Sequence, residues 1–218
     1  MSRTYAQYCP VARALELVGE RWTLLVAREL LLGPRRFTDL MAGLPGVSAN
    51  VLASRLKDLE QEGMVARRTL PPPAASAVYE LTDHAVGLVS VLAAMADWGM
   101  TMLGEPRPDE EVRGEWIVLG LAVTAHAHEA IDGKTYELHI DGEVLHVEVH
   151  KGNLQPHQGP ADRPDAVVRL DATTLADLAR GHLELDEALS TGQVSTEGDG
   201  DAARRLLTSF SGLRAGVT

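Results

Sequence analysis

The side chains best placed to do chemistry in this 218-residue chain fall into two groups. The first is a polar row, Asn50, Ser54, Lys57 and Gln61. It recurs at helical spacing opposite Leu52, Leu56 and Leu59. Amide, hydroxyl and ammonium groups on one helix face suit the base edges of a DNA major groove. Arg35, Arg36, Arg67 and Arg68 flank the row, and Arg55 lies near the edge of the leucine stripe. Between residues 35 and 68, six Lys+Arg stand against four Asp+Glu. Phosphates need such cations to set register before any base is read. A polar helix face is ordinarily only solvated, and Arg55 serves a salt bridge as readily as a phosphate contact. Arg67 and Arg68 are neighbours on a strand and point to opposite faces, so one of them is expected to reach DNA.

The second group is the histidines, seven of whose eight lie beyond residue 104. His126 and His128 share one strand face, as do His146 and His150, with Glu129 and Asp141 near in sequence. Imidazole and carboxylate suit zinc or nickel. Yet no HExxH spacing occurs, so the expectation is surface histidines on an acidic sheet and no metal. Gly198-Asp199-Gly200-Asp201 lacks the ligand spacing of a calcium loop. No nucleophile elbow, phosphate loop or dinucleotide fingerprint is present, so no enzyme activity and no cofactor are expected. A single cysteine, Cys9, excludes both a disulfide framework and a Cys-based zinc cage.

The elements that must position the polar row are helical. Pro10 opens a helix at Val11 that carries Ala14, Leu15 and Val18 on one face, and Gly19 stops it. Trp22, Leu25, Val26 and Leu30 form a second stripe, ended by Gly33-Pro34. Phe37, Leu40 and Met41 mark a short third helix. Pro45-Gly46 is a turn, and Ser48 caps a fourth helix that carries the polar row and ends at Gly63. At that helix N-terminus Ser48 joins the DNA-facing set. Met64 to Leu70 and Val78 to Thr82 read as a strand pair around the tip from Pro71 to Ser76. The stretch Ala85–Leu103 reads as a helix apolar on nearly every side, which a second subunit is expected to cover. Helix, helix, short helix, turn, helix and hairpin is the order of a winged helix-turn-helix.

Residues 105–114 read as a charged, proline-bearing linker between domains 1–104 and 115–218. The net charge of −11 resides entirely beyond residue 104, where ten Lys+Arg face 21 Asp+Glu. The acidic balance therefore does not weigh against a polyanion partner for the first domain. In the second half, Trp116 to Ala125 and Lys134 to His150 alternate as strands do, with Asp141-Gly142-Glu143 as a hairpin turn. Ala166 to Leu170 is a further strand, Leu175 to Ala179 and Leu185 to Ser190 are helical, Val194 to Asp199 is a last strand, and Ala202 to Phe210 a closing helix. The fold class is α+β, with helices on one side of a sheet. No apolar run approaches the ~20 residues that span a bilayer, and the N-terminus lacks a signal-peptide core. The expected location is the cytoplasm.

Two families are resembled. Tyr8-Cys9-Pro10-Val11, Gly19-Glu20-Arg21-Trp22-Thr23-Leu24-Leu25, Leu32 to Leu40, Leu44-Pro45-Gly46-Val47-Ser48, Leu52 to Leu59, Glu62-Gly63-Met64-Val65 and Tyr79-Glu80-Leu81-Thr82 resemble the HxlR-type transcriptional regulators. Arg21 and Ala85 stand where that family often has Lys and Gly, and the hairpin tip lacks basic residues. The resemblance implies a homodimer paired through its terminal helices, with the fourth helix in the major groove of a double-stranded DNA operator. It also places Cys9 where some members carry a redox or electrophile sensor. Arg13 and the helix N-terminus would lower the pKa of such a thiol; an inert thiol packed on the first helix is the alternative. Tyr136 to Ile140, Val167 to Leu170, Ala179-Arg180-Gly181, Glu187-Ala188-Leu189, Gly192, Val194 and Gly198-Asp199-Gly200 are similar to the sterol-carrier-protein type 2 domain. That similarity implies an apolar tunnel for a hydrophobic small-molecule effector, with Trp116, Val118 and Leu138 as candidate lining or plain core. The expectation is thus a homodimeric, ligand-responsive transcriptional regulator. Two others stand beside it: a regulator switched through Cys9, and a hydrophobic-metabolite carrier or enzyme that no longer binds DNA.

Overall fold

The computed structural model describes residues 4–71, 75–100, 102–124 and 131–210. They divide into two compact units, Met1–Leu92 and Ala93–Thr218. The first unit opens with α1 (Pro10–Val18) and α2 (Thr23–Leu30), followed by the two-residue strand β1 (Arg35–Arg36), α3 (Phe37–Ala42) and α4 (Ala49–Gln61). Strands β2 (Val65–Thr69) and β3 (Ala77–Leu81) follow, then a 3-10 turn (Asp83–Val86) and α5 (Gly87–Met100), whose residues from Ala93 on are counted with the second unit. Pro10 sits in the first turn of α1, where its missing N–H costs nothing. The Ser48 hydroxyl accepts the Val51 N–H at 3.3 Å and caps α4. The expected periodicity is realised: Leu52, Leu56 and Leu59 of α4 join Val26, Ala27, Leu30, Leu40, Leu44 and Met64 in one core. Ala85 and Leu88 belong to the same core.

Three details of the first unit differ from the sequence reading. Leu25 and Leu15, expected on buried stripes, are exposed. α1 buries Ala12 instead, so its apolar Val11 and Leu15 face away from this core. β1 was not foreseen. It pairs antiparallel with β3 in a sheet of order β1-β3-β2, and two residues are too few to display a period. α5 runs Gly87–Met100 instead of Ala85 to Leu103, while its exposed Val89, Val91, Met95 and Trp98 are the apolar surface that the sequence reading assigns to a second subunit.

The second unit contains α6 (Gly114–Thr124), β4 (Thr135–Ile140), β5 (Glu143–His150), β6 (Asn153–Gln158), β7 (Ala166–Leu170), α7 (Ala172–Arg180), α8 (Leu185–Ser190), β8 (Ser195–Gly198) and α9 (Gly200–Phe210). The strand order is β6-β5-β4-β7-β8, antiparallel except for the parallel β4–β7 pair. Asp141 and Gly142, at φ 51° and 87°, make the two-residue turn between β4 and β5. Lys151 and Gly152 repeat it between β5 and β6. The sheet's inner face is Tyr136, Leu138, Ile140, Leu145, Val147, Val149, Ala166 and Val168, all buried. Leu175, Leu178, Ala203, Leu206 and Phe210 of α7 and α9 are buried with them.

Trp116 to Ala125, read as a strand, is the helix α6 as far as Thr124. Val118, Leu119 and Leu121 are all buried, so an apolar run hides its period. A Cβ on Gly114 would stand 2.3 Å from the Ile140 side chain, so only glycine lets α6 start against β4. β6 is the strand that the sequence hid. It carries Pro156 and few apolar residues, which only an edge strand tolerates.

Candidate functional site

On α4 the two faces separate cleanly. Leu52, Leu56 and Leu59 are buried, whereas Asn50, Ser54, Lys57 and Gln61 are exposed. Among the described residues, no side-chain hydrogen bond or ion pair engages Asn50, Ser54 or Lys57. Val51, not singled out from sequence, is an exposed apolar group near the same helix N-terminus. A methyl-bearing side chain there suits a thymine methyl.

The flanking arginines are not equivalent. Arg35 was expected on the phosphate-facing surface, but it is only 5% exposed. The β1–β3 pairing sets Arg35 opposite Tyr79 and turns its side chain inward, while Arg36 alternates outward. Arg36 is therefore the exposed cation at the start of α3, where its N–H donates to the Asp39 carboxylate at 3.0 Å. Arg55 pairs with Asp58 at 3.3 Å and with Glu20 at 3.9 Å, the anchoring role that was its alternative. On β2, Arg68 donates to Glu80 at 2.7 Å, whereas the Arg67 guanidinium lies 5.8 Å from the Tyr79 ring centroid. Both remain exposed.

Cys9 precedes α1 in extended conformation and is half-buried. Arg13, expected to act on the thiol, directs its guanidinium to Glu16 at 2.7 Å. The Tyr5 N–H, the Thr4 hydroxyl and Arg13 all donate to Glu16 and hold its carboxyl below the usual range.

In the second unit, Val118 and Leu138 are 0% and 1% exposed, in the interior, and Trp116 is half-buried on α6 beneath the Arg113 guanidinium. A cleft of about 250 Å³ lies elsewhere, lined by Leu189, Thr196, Gly200, Asp201, Arg204 and Leu207, and none of the three residues expected to line a tunnel reaches it. The Tyr136 hydroxyl is buried with no hydrogen-bond partner among the described residues, and burial raises its pKa. The outer face of the sheet is polar. The Glu137 carboxylate accepts from His139 at 2.7 Å and from the Ala161 N–H at 3.0 Å, and the His139 bond above all keeps its pKa low. Burial and the nearby His146 hold the His157 pKa below its ordinary value. His126, His128 and Glu129 lie outside the described residues.

Comparison with known proteins bears on both units. The family described as HxlR-like helix-turn-helix matches residues 17–106. The SCP-2 sterol transfer family matches residues 122–211. The chain is similar to the HTH-type transcriptional regulator YvaP of Bacillus subtilis, 36% identical over 94 residues that cover 43% of this chain and 87% of that one. It is also similar to the HTH-type transcriptional regulator YodB of Bacillus subtilis, 37% identical over 91 residues, 41% of this chain and 81% of the other. The solved structure of the reduced form of YodB covers 46% of this chain and 100% of its own, at 33% identity and a TM-score of 0.40.

Proposed function

This chain belongs to the HxlR-like helix-turn-helix family of transcriptional regulators, and on that premise we propose a homodimeric regulator gated by a hydrophobic ligand. The observation that carries the reading is the outward row Asn50, Ser54 and Lys57 on α4, which has no partner among the described residues. Buried leucines hold the helix rigid behind it. Asn50, Ser54 and Lys57 read base edges; Arg36 and Arg67 hold phosphates. Ser48 spends its hydroxyl on the helix cap and so presents the N-terminus of α4. Two copies set their α4 helices in successive major grooves about 34 Å apart. The exposed Val89, Val91, Met95 and Trp98 of the Ala85–Leu103 segment supply the apolar surface that the second copy covers.

Domain 115–218, which the SCP-2 likeness supports as a lipid-type binder, takes the effector. Effector binding favours one spacing of the two α4 helices, a coupling of about 1–3 kcal/mol. DNA-binding regulators of this kind act in the cytoplasm. Native mass spectrometry of the full chain, alone and with DNA fragments that it selects from a pool, tests the reading. The expected species is a dimer that carries one hydrophobic molecule per chain, released on denaturation, and that binds one duplex. A chain that selects no DNA overturns the regulator reading. A DNA-binding dimer without a releasable ligand removes the effector.

A further inference from the structure

The outer face of the second unit's sheet carries a side-chain set that the regulator reading does not use. On β5, His146 and Glu148 project to the same side because strand side chains alternate. Across the antiparallel pair, His157 of β6 stands directly opposite His146. The two imidazoles stack with centroids 5.0 Å apart, and one ligand-capable atom from each of His146, Glu148 and His157 lies within 4.8 Å of the others. The geometry points to a site for a divalent transition-metal ion, zinc in particular, held by His146, Glu148 and His157.

Four features support the assignment. The His146 Nδ1 donates to the Gly159 carbonyl at 2.9 Å. A carbonyl can only accept, so the neutral tautomer carries its proton on Nδ1 and offers Nε2 to a metal; ligating histidines are oriented in this way. No hydrogen bond engages the Glu148 carboxylate among the described residues. The rival carboxylate beside His146, Glu137 on β4, is committed to His139 and Ala161. Behind the three ligands, Leu145, Val147, Val149 and Leu154 are buried and anchor both strands.

Two imidazoles and one carboxylate are a zinc-type donor set, whereas calcium and magnesium take oxygen ligands. Bonds of about 2.0–2.1 Å in a tetrahedron need ligand atoms roughly 3.4 Å apart, which rotation of the exposed Glu148 and the half-buried His157 can supply. Three protein ligands leave a fourth position to water or an incoming donor. The ion would also clip the edge strand β6 to β5.

The test titrates the tag-free full chain with Zn²⁺ against a chromophoric chelator, and in parallel records the visible spectrum with Co²⁺. One ion per chain is expected, together with four-coordinate Co²⁺ bands that vanish on addition of Zn²⁺. His146→Gln and His157→Gln each weaken binding by at least about tenfold, because each removes one of only three ligands. His150→Gln and His182→Gln, outside the cluster, leave it unchanged. Circular dichroism confirms that each variant folds, and the Co²⁺ spectrum of the unaltered chain reads the site without any substitution. Absence of saturable binding in the unaltered chain overturns the assignment. So does equal affinity in the His146→Gln/His157→Gln double variant.

Discussion

The exposed face of α4 and the exposed face of the second unit's sheet are both polar surfaces backed by a buried aliphatic layer, yet they differ in how many of their polar groups are bonded within the chain. On α4, Asn50, Ser54 and Lys57 make no side-chain bonds among the described residues. On the sheet, Glu137 is bonded to His139 and Ala161, His146 to Gly159, and Arg169 to Glu197. A surface that must exchange water for a partner's donors and acceptors keeps its own groups uncommitted, since each internal bond would have to be broken first. A surface that satisfies itself has less to offer a large partner. Glu148, His150, Gln155 and His157 make no side-chain hydrogen bond among the described residues, and Glu148 and His157 stand in one cluster with His146.

The largest effect that would sharpen this contrast comes from the layers behind the two faces. Leu56→Ala and Leu138→Ala each empty a fully buried position, at 1% exposure in both cases. Each costs about 2–5 kcal/mol of its own unit's stability in urea unfolding. Leu56→Ala abolishes DNA binding because it unseats α4, whereas Leu138→Ala leaves the operator affinity of the remaining folded chain intact. Equal loss of DNA binding in both variants would break the comparison.

A smaller effect follows at the face itself. Lys57→Ala leaves folding unchanged and weakens DNA binding, most for duplexes that carry the base it reads. The slope of log affinity against log salt falls by about 1, as loss of one cation from the interface requires. Fluorescence anisotropy across a salt series measures it. An unchanged affinity and slope would place α4 elsewhere than in the groove.

The smallest effect is on the sheet. The His139 hydrogen bond chiefly, with the Ala161 N–H, keeps the Glu137 pKa below its ordinary 4.5. A depressed carboxylate stabilises the fold fully above that ordinary value, and the stabilisation drains away as pH falls through the lowered one. Glu137→Gln should therefore flatten the acid limb of the stability–pH curve and leave pH 7 DNA binding alone. A wild-type and variant acid limb that superimpose would show the bond to be idle.

What the sequence by itself determined were the features written in local periods and single-residue geometry. The leucine row of α4 repeats every three to four residues, so its opposite face could be named without a structure. Asp141-Gly142 declared its hairpin because two residues at positive φ need that chemistry. α8 was read to its ends, Leu185–Ser190. Tertiary structure alone decided whatever depends on residues distant in sequence. α6 is a helix because buried surroundings, not a period, select the conformation of an apolar run. β6 exists because β5 offers it an edge. Arg35 turns inward because two residues pair with β3, which removes from the proposed DNA face a cation that composition alone would have left there. His157 lies eleven positions beyond His146, and only the register of an antiparallel pair sets the two side by side with Glu148. Cross-strand register is a non-local quantity that no local pattern encodes.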